Sequence, residues 1–261
     1  MIQGCATLVI DLGNSSTKGK VLFGKDAKTG LFREREFEVP NVFAPIDSNY
    51  EVSEDYNTDT SFIINVDTSI GETVVLGNFC CGELQKRERP LSIIKPSATA
   101  KKYQSPSSVL SFRLASLQAC KAILAMQRAT SYNQLDLTWK VVTLLPPGDV
   151  DAGKTALIDI IEDIKEVRSV FPEVVIPIEI EKTYVLPEGY CAYAGVVYDR
   201  GQVFRQDYKD LTEETVLVID IGAGTTDILI IENNAFSPDS PYVFGRYRYD
   251  GVRRDRYGRE R

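Results

Sequence analysis

Apolar and polar positions along this chain fall into short runs of two periods, alternating and helical, and together they predict a mixed α/β protein. Ala6-Thr-Leu-Val-Ile10 and Gly19-Lys-Val-Leu-Phe23 are β-branched, strand-like runs on either side of a short polar turn, and Arg33 to Val39 alternates as a third strand would. Pro40 to Asp59 is polar and rich in turn formers, which predicts a loop. Ser61-Phe-Ile-Ile-Asn-Val66 and Thr73-Val-Val-Leu-Gly-Asn-Phe79 flank a polar turn as the arms of a hairpin, expected as a small insertion over about 40–85. Lys86 to Lys102 is basic, broken by Pro90 and Pro96, and reads as a connector. Ser107 to Gln127 is the best helix candidate, with Leu110, Phe112, Leu114, Leu117, Ile123 and Leu124 on a broad apolar face that would cover the first sheet. A strand over Leu137 to Leu145, a helix over Ala152 to Val167 and a strand over Val174 to Val185 follow. Pro187 then sits where a helix takes proline in its first turn, with Glu188 beside it. Val216 to Ile231 reads as strand, tight loop, strand, and beyond Asn234 no period survives, so 237–261 is expected to be a disordered basic tail.

Composition narrows the chemistry. At 261 residues a sizeable core can be buried, in one large domain or two modest lobes. No apolar run approaches the roughly 20 residues that span a bilayer, and Met1 to Cys5 lacks a secretory pattern, so a soluble cytoplasmic protein without a membrane partner is expected. Histidine is absent, which removes Ser-His-Asp and Cys-His nucleophile systems and most catalytic zinc sites. Five cysteines without CxxC spacing suit reduced thiols. The net charge of −7 argues against a general nucleic-acid surface, and the arginine-rich end after Arg246 is the one segment that could touch a polyanion.

Two stretches carry candidate chemistry. Val216-Leu-Val-Ile-Asp220 delivers a carboxylate to a strand end, and Gly222, Gly224, Thr225 and Thr226 follow. Glycines let a backbone approach a ligand closely with its N–H groups inward, hydroxyls add donors, and a lone carboxylate can hold a hydrated cation. Asp11, Gly13, Ser15, Ser16, Thr17 and Lys18 repeat the design near the N-terminus. One Asp-x-Gly turn is more often a plain hairpin, but two with hydroxyls behind the glycine imply two halves facing one ligand. Glu188 alone reads as a first-turn acid favoured by the helix dipole. A competing pattern, Gly148-Asp-Val-Asp-Ala-Gly-Lys-Thr155, satisfies the Walker A spacing of a P-loop NTPase. Asp149 and Asp151 within it would repel the phosphates that such a loop must attract.

Asp11-Leu-Gly-Asn-Ser-Ser-Thr-Lys18 resembles the phosphate-1 loop of the actin-like ATPase superfamily. Pro187-Glu-Gly-Tyr-Cys-Ala192 resembles its first connecting helix, and Asp220-Ile-Gly-Ala-Gly-Thr-Thr-Asp227 its phosphate-2 loop. Thr143-Leu-Leu-Pro-Pro147 together with the Pro-Glu-Gly start looks most like the plasmid-segregation (ParM/StbA) branch, over about residues 6–234. The resemblance implies an actin-like (ribonuclease H-like) α/β fold of two lobes around a nucleotide cleft, with 1–185 as the first lobe and 186–236 as the start of the second. It implies ATP or GTP with Mg²⁺, Asp11 and Asp220 holding the metal through water, and Glu188 orienting the attacking water. Gly13, Asn14, Ser15, Ser16, Thr17 and Lys18 would face the phosphates from one side, and Gly222, Ala223, Gly224, Thr225 and Thr226 from the other. In the family, hydrolysis is coupled to self-association into filaments that segregate plasmid or phage DNA through a DNA-bound adaptor. Family members also carry a glycine-rich adenosine motif well beyond phosphate 2, and the 41 residues after Asp220 hold nothing similar. The second lobe is therefore expected to be incomplete, and a non-catalytic truncated interaction protein is the alternative reading.

Overall fold

The computed structural model describes residues 1–46, 61–68, 71–77, 80, 93–96, 100–170, 173–199, 203–221, 225–236 and 247–248. They fall into two compact units, Met1–Leu145 with Ala152–Leu186, and Pro146–Asp151 with Pro187–Arg261.

The first unit opens with β1 (Ile2–Leu12), β2 (Ser16–Lys25) and β3 (Phe32–Pro40), an antiparallel meander. β4 (Phe43–Ile46), β5 (Ser61–Thr68) and β6 (Gly71–Gly77) follow, then α1 (Pro106–Gln127) and β7 (Leu135–Leu145). After α2 (Val150–Glu162) come β8 (Glu166–Ser169), β9 (Val174–Pro177) and β10 (Glu179–Pro187). Two five-stranded sheets result, ordered β10-β7-β1-β2-β3 and β4-β6-β5-β8-β9. β7 runs parallel to β1, so the chain between them must cross over, and α1 lies in that crossover. α1 packs on β1, β2 and β3 of one sheet and on β6 of the other, while Lys121 stands 5.7 Å from the centre of the Phe62 ring on β5. A helix covered by both sheets is buried nearly all round, as the run from Leu110 to Leu124 is. This corrects the expectation that no stretch is long enough for a bilayer: α1 qualifies by length and apolarity, and is mostly buried inside the protein.

Other corrections concern breakers and boundaries. The stretch expected as a loop from Pro40 contains β4, where Phe43 and Ala44 are fully buried and Pro45 is tolerated because the strand lies at a sheet edge. The hairpin expected at 61–79 forms, but as the middle of a sheet completed by β8 and β9. α2 begins two residues earlier than expected and stops at Glu162, and Val167 is a buried residue of β8. The single strand expected over Val174 to Val185 is two strands, because the chain leaves one sheet for the other at Ile178, whose N–H donates to Lys165 O at 2.7 Å.

The second unit contains α3 (Tyr190–Val197), α4 (Asp210–Glu213), β11 (Thr215–Ile221), β12 (Thr225–Glu232), β13 (Ala235–Phe236) and β14 (Tyr247–Arg248). β11, β13 and β14 all pair antiparallel with β12. Tyr193 and Val197 of α3 pack with Leu229 and Ile231 of β12 and with Val216 and Val218 of β11. The two short strands after Asn234 lie where no order was expected; the rest of the predicted tail, 237–246 and 249–261, is outside the described residues.

Candidate phosphate-binding loops

The hairpin between β1 and β2 is built around two constraints. An added Cβ at Gly13 would lie 2.6 Å from Ser16 O, a backbone atom that cannot yield, so glycine is required there. Asn41, just past β3, then ties the loop down: its N–H donates to Ser15 O at 3.0 Å, its amide nitrogen donates to Gly13 O, and its side-chain oxygen accepts from the Thr17 hydroxyl. Asn41 and Thr17 are both buried, so this clamp works away from water, where a satisfied hydrogen-bond network holds one geometry. Thr17 thus spends its hydroxyl on the frame of the loop.

Strand pairing sets the other residues. Asp11 lies directly across from Lys18 in the register, and Leu12 across from Thr17. Period-2 alternation therefore puts Asp11 and Lys18 on the face opposite the buried Leu12 and Thr17. Ser16 donates to Glu38 Oε1 at 2.8 Å, and the Lys18 ammonium stands 4.0 Å from the same oxygen. Both Lys18 and Glu38 are well exposed, so that ion pair is weak. Asp11 has a closer cation: Lys102 Nζ lies 3.4 Å from its Oδ1, with the lysine side chain 8% exposed and the aspartate 41%. A small pocket next to the hairpin is lined by Gly13, Asn14, Lys102, Ser105, Ser107 and Ser108, among others.

In the second unit Asp220 is exposed near the end of β11, directly opposite Asp227 of β12, which is buried. Thr225 and Thr226 begin β12, and their backbones pair with Arg248 and Tyr247. Gly222, Ala223 and Gly224 lie outside the described residues. Glu188 corrects its expectation: Pro187 closes β10, Glu188 and Gly189 form a turn, and α3 starts only at Tyr190. Gly189 is left-handed, with φ of 86°, and an added Cβ would sit 3.2 Å from a Val218 methyl, so it is this glycine that turns the chain into the helix. Half-buried Glu188 precedes the helix as a turn residue.

The Walker A reading does not hold. Pro147–Asp149 is a 3-10 turn and Val150–Glu162 an α-helix, so the residues that would wrap a phosphate are wound into helix. Gly153 is small because a Cβ there would lie 2.1 Å from the Tyr103 ring, and Lys154 is exposed. Asn41 and Lys102 were not among the sequence candidates. An asparagine after a proline reads as a turn former, and a lysine at the end of a basic connector carries no signal of burial.

The donor set fits a hard, hydrated divalent cation. Asp11 offers a partly exposed carboxylate, and among the described residues no three His, Cys, Asp or Glu side chains cluster as a protein-built metal cage would need. Mg²⁺ keeps most of its waters and takes one or two carboxylates plus phosphate oxygens.

No protein-family model matches the chain, and no curated protein matches it in sequence. In three dimensions it is similar to the actin-like protein Alp7A, with a TM-score of 0.65 at 15% identity, over 96% of this chain and 62% of Alp7A. It is similar to AlfA from a B. subtilis plasmid, a filament structure, with a TM-score of 0.54 at 16% identity over 89% of this chain and 68% of AlfA. The pCBH ParM, in a non-polymerisable mutant, gives 0.52 at 17% identity over 88% and 58%. A further AlfA structure is a filament bound to AMPPNP. The chain therefore has the actin-like α/β fold, and it spans 62% of the length of Alp7A.

Proposed function

We propose that this chain carries the two phosphate loops of an actin-like ATPase of the plasmid-segregation type and binds Mg-ATP, or GTP, between Asp11–Lys18 and Asp220–Thr226. The observation that carries the reading is the first hairpin: a carboxylate at a strand end, a glycine with no room for a side chain, and a buried asparagine that fixes the shape of the loop. In this reading Gly13, Asn14, Ser15, Ser16 and Lys18 offer donors to the phosphates from one side, with Thr17 fixing their frame, and Gly222, Ala223, Gly224, Thr225 and Thr226 offer them from the other. Asp11 and Asp220 hold the hydrated cation, which when bound neutralises charge on the transferring phosphoryl group. Glu188, on its turn, orients the attacking water; positioning and charge stabilisation do the catalytic work. The complete assembly polymerises into filaments in the cytoplasm and moves DNA through an adaptor, in keeping with the filament structures it resembles.

Calorimetric titration of the full chain with Mg-ATP tests this. Binding is expected, with Asp11→Ala and Asp220→Ala abolishing it or any hydrolysis, Glu188→Ala keeping the nucleotide but slowing turnover, and Lys154→Ala changing nothing. Loss of binding in Lys154→Ala alone would reject the reading. The second reading is a non-catalytic interaction protein, and absence of binding at millimolar ATP would select it.

A further inference from the structure

We propose that Lys102 is a positioning residue for Asp11, a cation built into the chain that makes nucleotide binding less dependent on a divalent metal. The proposal rests on the nucleotide reading above.

Burying an ammonium is costly unless a counter-charge compensates it. Lys102 Nζ stands 3.4 Å from Asp11 Oδ1 with its side chain only 8% exposed, while 41% of the Asp11 side chain still faces solvent. The carboxylate therefore has a buried cation on one side and an open approach on the other. The backbone beneath the lysine is fixed before anything binds. Ser108 Oγ donates to Lys102 O at 2.6 Å, Gln104 N–H donates to Lys101 O at 2.9 Å, and Ser105 caps α1 by accepting from the Ser107 N–H. A long side chain on a pinned backbone loses little further freedom when a ligand arrives.

Two electrostatic consequences follow, and both point the same way. A polyphosphate approaching the hairpin meets an Asp11 charge that Lys102 has already offset, so repulsion is reduced without metal. A divalent cation approaching Asp11 through water meets a like charge beside the carboxylate, so it gains less there than at an isolated aspartate.

The test is the ratio of ATP dissociation constants measured by calorimetry on the full chain, in EDTA and in excess Mg²⁺. Lys102→Met is expected to raise that ratio about tenfold over wild type, a modest share of the Coulomb energy between charges this close, and Lys102→Arg to keep it within about threefold. A purely structural lysine would weaken both affinities together and leave the ratio unmoved. Should methionine prevent folding, seen as a lost thermal transition, Lys102→Gln keeps a polar end in the buried position and gives the same comparison. Binding with an unchanged ratio in a folded Met or Gln variant overturns the role of Lys102 and leaves the nucleotide reading standing. No binding by wild type in either condition overturns both.

Discussion

Burial decides which thiols of this chain can react. Cys80 and Cys120 are buried and form no disulfide, and desolvation pushes the Cys120 thiol up to about 12, so almost none of it is thiolate near neutral pH. Cys5 and Cys191 are exposed and form no disulfide. In the native protein, maleimide labelling followed by peptide mass mapping is expected to modify Cys5 and Cys191 within minutes and to leave Cys80 and Cys120 unmodified until denaturant is added. Fast labelling of Cys120 would mean that α1 is not packed as described. Asp26 gives a second prediction, with a sign in pH. Its carboxylate accepts from the backbone N–H groups of Thr29 and Lys28, each at 2.9 Å, and these bonds hold its pKa below the usual carboxylate value. A depressed folded pKa contributes stability that is fully present above the unfolded pKa and lost as pH falls through the folded one. Asp26→Ala should therefore lower the thermal midpoint at neutral pH, and the gap should narrow in melts taken to acid pH, below the ordinary carboxylate range. At this scale the sequence shows which residues stand together in one hairpin and hides the contacts that distant residues bring to it. Asp11, Gly13 and Lys18 stand together in one motif, whereas Asn41 meets Gly13 across 28 residues and Lys102 meets Asp11 across 91.

At the level of elements, the β1–β2 hairpin admits the sharpest mutation. Adding a methyl at Gly13 forces a displacement of the Ser16 carbonyl, which the Asn41 clamp opposes. Gly13→Ala is expected to cost about 1–3 kcal/mol in urea denaturation, the usual cost of overpacking a well-packed site. It should also abolish ATP binding under the reading proposed above, whereas Gly30→Ala, in open space at φ of 70°, should cost only the backbone strain. The strands and long helices were legible because their apolar periods are strong: β1, β2, β7, α1 and β11 all lie within a few residues of where the pattern put them. The misses share a cause. β4 was hidden by Pro40 and Pro45, which break a central strand but are harmless at an edge. The start of α3 was placed at Pro187 because proline favours a first turn, and the left-handed Gly189 that actually turns the chain has no signature separate from any other glycine.

Over the whole molecule, the order of motifs in the sequence pointed to the actin-like fold, while the exchange of strands between two sheets within the first unit could not be read, since pairing partners such as β5 and β8 are about a hundred residues apart. The second unit presents a different whole-surface property. Among the described residues β11 lies at the edge of its sheet; its inward positions Val216 and Val218 pack on α3, while Leu217, Ile219 and Ile221 on the opposite face are 54%, 53% and 79% exposed. An exposed apolar strip on an edge strand favours pairing with other chains, and natural edges of this kind are commonly guarded by lysine. Ile219→Lys places a charge in the middle of the strip without touching the face against α3. Because the position is already half in water, stability should change by no more than about 0.5 kcal/mol. Concentration-dependent association, followed by sedimentation velocity without nucleotide, should fall, and a Val218→Lys control should instead unfold the second unit by forcing an ammonium into its core. Equal association in wild type and Ile219→Lys would show that chains meet through another surface, and that the apolar face of β11 is covered by something other than a neighbouring copy.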